Sequence, residues 1–320
     1  MKRQIEQGLV TYHFESLEVE GLVHAVFTRL GGVSRGPFAE LNVGHTVGDD
    51  EAAVAENHAR IFAHLGLTCD RVVTARQVHG NHVAVVTAGA GGQVIPGTDG
   101  LVTNAPGLAL MLRFADCQPI LLYDPAHHAL GLIHAGWRGV AEGIAYRAVE
   151  TMREAFGSRP QELIAGLGPA IGPCCYTVGH KVASVMGYAL PDWSQVMSLQ
   201  GEDRWRFDLP AANAQQLAAA GVQAIEQAHL CTGCHSDEFF SHRADNGRTG
   251  RFAVVAYLEA RDREQGNKET EIPREEARPE EPQEFESLDP PGFPTFQELQ
   301  GAGAFTGQGV GAFTGLGGNP

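Results

Sequence analysis

Residues Leu108–His134 read LALMLRFADCQPILLYDPAHHALGLIH. Three apolar runs of strand length, Leu108–Arg113, Ile120–Tyr123 and Ala129–His134, are separated by short polar stretches carrying Asp, Pro and His. Connections this short suit antiparallel neighbours, whereas parallel strands need a crossover of a dozen residues or more. The stretch therefore predicts local antiparallel pairing and disfavours a simple doubly wound parallel sheet.

Outward from this block, Leu22–Thr28, His82–Thr87, Leu163–Leu167 and Phe252–Leu258 also have strand length and apolar content. Helical composition alternates with them over Ala52–Leu65, Arg138–Phe156, His180–Tyr188 and Pro210–Ala220. Val140, Ile144, Ala148 and Met152 recur at helical spacing. The pattern is mixed α/β, with no linker-like composition between Val23 and Leu258, so residues 1–260 read as one domain.

Beyond Ala260 the apolar periodicity stops. Residues 261–320 carry twelve acids against five bases, so −7 of the chain's net −15 lies there, and the segment ends in two glycine-rich GAFTG copies. This composition predicts a disordered tail, with Phe305 and Phe313 as possible anchors for a docking partner. An acidic chain opposes nucleic-acid binding, which needs clustered Lys and Arg. No run of eighteen apolar residues and no signal-like start occurs, so neither membrane nor secretion is expected and the expected compartment is the cytoplasm.

Six cysteines in 320 residues are too few for a disulfide scaffold, so each thiol needs its own reason. His79, Cys117 and His134 each fall in a polar motif at the end of an apolar run: QVHG (Gln77–Gly80), FADCQP (Phe114–Pro119) and GLIHAGWRG (Gly131–Gly139). Strand ends hold side chains rigidly, so these distant residues are able to converge, and imidazole and thiolate are both zinc ligands. Read singly, each is better taken as an ordinary core cysteine or turn histidine. CTGC at Cys231–Cys234 has the form of half a zinc knuckle, but no second CxxC matches it, and Cys174 and Cys175 read as structural.

The ordered set TRLGGVS (Thr28–Ser34), PFAELNVG (Pro37–Gly44), GD (Gly48–Asp49), QVHG, TDGLVT (Thr98–Thr103), ADC, HAGWRG, GLGPAIGPCCYTVG (Gly166–Gly179) and FFSHRADNGRTGR (Phe239–Arg251) resembles the YfiH/YlmD family of laccase-domain proteins. The resemblance spans roughly Val23 to Leu258. It implies an α/β sandwich of mixed sheets and one catalytic zinc held by His79, Cys117 and His134. It also implies phosphorolysis of adenosine, inosine, guanosine and methylthioadenosine, with deamination of adenosine, so that purine nucleosides and phosphate are the expected partners.

The same resemblance places Asn42 near phosphate, with Arg29, Arg138 and the turns Gly31–Gly32 and Gly168 as further donors, and Asp99 and Asp116 as acceptors behind the ligands. Relatives commonly carry Arg after the Asn of the first helix. Here the sequence reads Glu56-Asn57-His58, which leaves His58, or Arg60 two residues on, to serve phosphate. Ser241 and Arg243 either touch the site or fix the last strand.

Two other chemistries remain open at this stage. Copper-dependent phenol oxidation is suggested by the laccase-like family names, although multicopper sites need paired histidines and no HxH occurs. A cysteine hydrolase acting on a peptidoglycan precursor is also compatible, with Cys117 as nucleophile and a histidine as base.

Overall fold

The structure is a computed structural model and describes residues 1–260. The expectations for 261–320 lie outside the described residues. Seven strands form one sheet in the order Lys2–Glu6, Leu9–His13, Leu22–Phe27, Phe252–Leu258, Ala109–Phe114, Val72–Ala75 and Val94–Ile95. A second sheet orders Ala224–Gln227, Ile164–Leu167, Gln118–Asp124, Ala129–Ala135, Gly100–Thr103 and Val83–Val85. Three short strands, Thr177–Gly179, Arg204–Phe207 and Met197–Gly201, make a small third sheet.

The two large sheets pack face to face, and period-2 alternation decides which side chains meet. From the first sheet Leu110, Leu112, Phe114, Val254 and Ala256 point inward; from the second Leu121, Tyr123, Leu130 and Leu132 answer them in the same buried cluster. The opposite residues of these strands are equally apolar because helices cover both outer faces. Ala109, Met111, Ala253 and Val255 pack with Ile61 of helix Glu51–His64, while Ile120, Leu122 and Ile133 pack with Ala145, Ala148, Val149 and Met152 of helix Ile144–Phe156. Burial on both faces is why the strands read as continuous apolar runs rather than alternating ones.

Antiparallel pairing holds for two of the three strands in the opening block: Leu130 pairs with Tyr123 and Ile133 with Ile120. The first strand, Ala109–Phe114, is a correction. It leaves its neighbour in sequence and lies in the other sheet, antiparallel to Phe252–Leu258 and parallel to Val72–Ala75. The crossing is made at Asp116, whose φ of 85° reverses the chain between the sheets. The helix expected over Arg138–Phe156 is two helices, Trp137–Ala141 and Ile144–Phe156, because Gly143 adopts φ 74° between them.

Candidate active site

Asp99, fully buried at the start of strand Gly100–Thr103, organises the centre of the molecule. Its Oδ1 accepts from the backbone N–H of His79 at 2.9 Å, and its Oδ2 from Val78 at 3.0 Å and Gly80 at 2.9 Å. The QVHG turn is thus wrapped around one carboxylate, which holds His79 in the left-handed region at φ 66°. Asp99 Oδ1 also lies 2.8 Å from His134 Nδ1, leaving His134 Nε2 as the nitrogen free for other partners. Burial by itself raises the Asp99 carboxyl, but the His134 bond and charge and the Gly80 and Val78 amides bring it below its ordinary range.

Gln77 ties the same turn to the first sheet, donating to the Arg113 carbonyl at 2.8 Å and accepting from the Arg113 N–H at 3.0 Å. Cys117 follows the sheet-crossing residue Asp116. The Asp116 carboxylate accepts from Thr232 Oγ1 at 2.6 Å and from the Arg243 N–H at 2.7 Å, so this turn is held by two later segments of the chain.

These supports bring His79, Cys117 and His134 together, with one donor atom of each within 4.8 Å of the others. The His79 and His134 rings stand edge to face, 4.9 Å between centroids. Burial raises the Cys117 thiol, yet the charge and hydrogen bonds of His134 and His79 draw it down to about 6. Burial likewise lowers His134, yet Cys117 and Asp99 lift it to about 9. Gly136 makes room for the sulfur: a Cβ there would stand 2.8 Å from Cys117 Sγ and 3.5 Å from His79 Cδ2. Two nitrogens and one thiolate at this separation suit a tetrahedral zinc, whose bonds of about 2.0–2.3 Å leave a fourth position open. The Asp99–His134 contact is the support that a metal-ligating histidine ordinarily has.

The trio lies in a cavity of 710 Å³ whose rim carries Arg76, Arg113, Arg138, Arg243 and Arg251. Among the described residues, the guanidinium groups of Arg113, Arg243 and Arg251 bond to backbone carbonyls and not to carboxylates. In an acidic chain this concentrates positive potential in one place. Trp137, Ile171, Tyr176 and Leu209 supply its apolar wall.

Of the residues expected near phosphate, Arg138 lines the cavity; Arg29, Asn42 and His58 do not. Arg29 donates to the Ala39 and Ser236 carbonyls and lies over the Phe240 ring, which leaves it a wall-building role. Asn42 is fully buried; its side chain donates to Asp49 and accepts from the N–H groups of Gly44 and Arg251, so it sets the backbone of two lining residues. His58 stacks at 4.9 Å on His45, which does line the cavity, and its Nε2 lies 3.2 Å from the Val43 carbonyl oxygen. Arg60 pairs with Glu56 instead of turning inward. Gly31 and Gly32 do not reach the cavity either, and Gly168 lines a separate, smaller one.

Sequence reasoning passed over Arg76, Arg113 and Arg251, as well as His45. A signal existed: each immediately borders or ends a quoted motif, and arginines gathered at motif edges stand out in an acidic chain.

Residues 23–259 match the family described as multi-copper polyphenol oxidoreductase laccase. The chain is 41% identical over 252 residues to the purine nucleoside phosphorylase YlmD of Geobacillus stearothermophilus, covering 76% of this chain and 91% of that one. It is 41% identical over 247 residues to a purine nucleoside phosphorylase of Deinococcus radiodurans, covering 76% and 92%. The crystal structure of YlmD from G. stearothermophilus superposes with a TM-score of 0.76 at 38% identity, covering 80% of this chain and 98% of that one. That of a Bacillus licheniformis hypothetical protein, YfiH, gives 0.75 at 35% identity, covering 79% and 97%. Matched along nearly the whole of its described length by family, relatives and fold alike, the chain belongs to the YfiH/YlmD laccase-domain family.

Proposed function

We propose that this protein is a zinc-dependent purine nucleoside phosphorylase that also deaminates adenosine, accepting inosine, guanosine and methylthioadenosine as well, and working in the cytoplasm. The observation that carries the reading is the placement of a His79–Cys117–His134 donor set and five arginines in one cavity. Similarity to proteins named purine nucleoside phosphorylase supports the substrate class.

His79, Cys117 and His134 hold the metal, which when bound supplies Lewis acidity at its open position. The cavity arginines receive phosphate, with Arg138 among them, and fix one of its oxygens toward C1′ of the ribose. In phosphorolysis that oxygen bonds to C1′ as the glycosidic C–N bond breaks, and the purine leaves with the electron pair and takes a proton. The Trp137 and Tyr176 rings, packed beneath Arg138 and Arg243, form part of the apolar wall that borders the space left for the base. Asp99 keeps His79 and His134 oriented throughout.

The test is incubation of metal-quantified protein with adenosine, with and without phosphate, resolving adenine, inosine and hypoxanthine. Adenine should form only with phosphate, and inosine in either case. Absence of both products from zinc-loaded protein would overturn the reading. Copper supporting turnover where zinc does not would transfer the site to oxidation chemistry.

One observation favours a second reading, in which Cys117 is a nucleophile: its sulfur lies within 4.8 Å of a nitrogen of each of two imidazoles, which draw the thiol down. Activity that persists with chelator and is lost on rapid alkylation of Cys117 would select it, since a metal-bound thiolate is protected from alkylation.

A further inference from the structure

The CTGC segment lacks a matching CxxC in sequence, but the fold supplies its partner from adjacent cysteines. Strands Ile164–Leu167 and Ala224–Gln227 are parallel neighbours, so the loops that follow them leave the sheet at the same end. A further bridge between Ala170 and Cys231 keeps those loops in step. The first loop carries Cys174 and Cys175, the second Cys231 and Cys234. All four sulfurs lie within 4.8 Å of one another, with Cys234 Sγ 3.3 Å from Cys174 Sγ and 3.5 Å from Cys175 Sγ.

Tetrahedral zinc with Zn–S bonds of about 2.3 Å spaces its sulfurs by about 3.8 Å, which the two Cys234 separations of 3.3 and 3.5 Å and the 4.8 Å limit on the whole group bracket. Cys234 is nearly equidistant from two partners, an arrangement that four ligands around one centre satisfy and a pairwise disulfide does not. The loops are shaped around the sulfurs. Gly172 donates its N–H to Cys231 Sγ at 3.2 Å, and a Cβ on Gly233 would stand 3.0 Å from Cys175 Cβ and 3.1 Å from its sulfur.

From this clustering we infer that Cys174, Cys175, Cys231 and Cys234 form a second, structural zinc site. Four protein ligands leave no open position, so the site is closed to chemistry. Its role is to clasp two loops that both reach the Asp116 turn. Ile171 donates its N–H to the Asp116 carbonyl at 2.9 Å, and Thr232 Oγ1 donates to the Asp116 carboxylate. Asp116 in turn sets Cys117, and Ile171 and Tyr176 line the cavity. The clasp is thus joined to the candidate active site through the Asp116 turn.

The experiment is zinc quantification of the full chain, purified with zinc present, for wild type, Cys117→Ser and the double variant Cys174→Ser/Cys234→Ser. X-ray absorption at the zinc edge is recorded on Cys117→Ser. That variant should keep one zinc per chain in a sulfur-only shell at about 2.3 Å. The double variant should hold one zinc fewer than wild type and unfold at lower temperature. If the first site takes no zinc, wild type and Cys117→Ser will hold the same single equivalent, which still supports the cysteine site. Iron in place of zinc, a nitrogen-rich shell, no zinc in Cys117→Ser, or disulfides among these four cysteines by mass would each overturn it. Should the double variant fail to fold, the absorption spectrum of Cys117→Ser decides alone.

Discussion

At the scale of single residues, the site depends on groups that never need to touch substrate. Asp99 accepts three backbone N–H bonds from the QVHG turn and holds His134 through Nδ1. Asp99→Asn keeps the shape but loses charge and one acceptor oxygen, so zinc affinity should fall about 10–100-fold. Competition with a chromogenic chelator measures this, and unchanged affinity would remove Asp99 from the support of the metal. Gly136 offers a sharper test, because the Cβ of Gly136→Ala would collide with Cys117 Sγ. Either the sulfur or the backbone must shift, and zinc retention should drop although no ligand has been altered. Full retention in that variant would mean that the turn is more compliant than its close contacts indicate.

Secondary-structure elements show where local chemistry sets boundaries. Helix Glu51–His64 begins where Asp50 accepts from the N–H groups of Ala52 and Ala53, and it buries Val54, Asn57 and Ile61. Asn57 spans from this helix to the loop beneath it, donating to Ser34 and to the carbonyls of Glu40 and Asn42. Asp50→Ala should cost about 1 kcal/mol of stability, with Asp50→Ser restoring most of it. Urea midpoints compare the three proteins; equal midpoints would show that the cap is redundant with packing. This helix and helix Ile144–Phe156 were both legible in sequence because helical spacing and capping residues act within a few positions. The Glu142–Gly143 break was not read, since a glycine inside a periodic run is only weak evidence of a boundary.

At the scale of the whole molecule, buried histidines link stability to pH. His24 is 4% exposed, and its Nε2 accepts from the Phe14 N–H at 2.8 Å. Burial, helped by His13, lowers its pKa to about 4; burial, helped by His45, takes His58 to about 4 as well. An unfolded histidine titrates near 6.5, so below that the unfolded chain binds protons that the folded one refuses. The stability from each neutral histidine is therefore complete above about pH 6.5 and is lost as pH falls toward 4, about 3 kcal/mol for His24. Melting temperature should fall across that window, less steeply in His24→Asn. A flat profile from pH 6.5 to 4 would contradict the burial argument.

Much was nevertheless written in the chain itself. Many strand and helix positions and the mixed α/β class follow from periodicity, a short-range signal, while His79, Cys117 and His134, each in a polar motif at the end of an apolar run, are joined into one donor set by the resemblance to the YfiH/YlmD family. Tertiary structure decided the rest. Only the fold sends Ala109–Phe114 into the opposite sheet from its sequence neighbours, because the reversal at Asp116 is stabilised by Thr232 and Arg243, more than a hundred residues away. Only the fold shows that Asn42 and Arg29 build walls while Arg76, Arg113 and Arg251 face the cavity. Only the parallel pairing of two distant strands brings Cys174 and Cys175 to Cys231 and Cys234. Residue type and local spacing state what a side chain is able to do; which groups converge on one point is set by how the sheets cross.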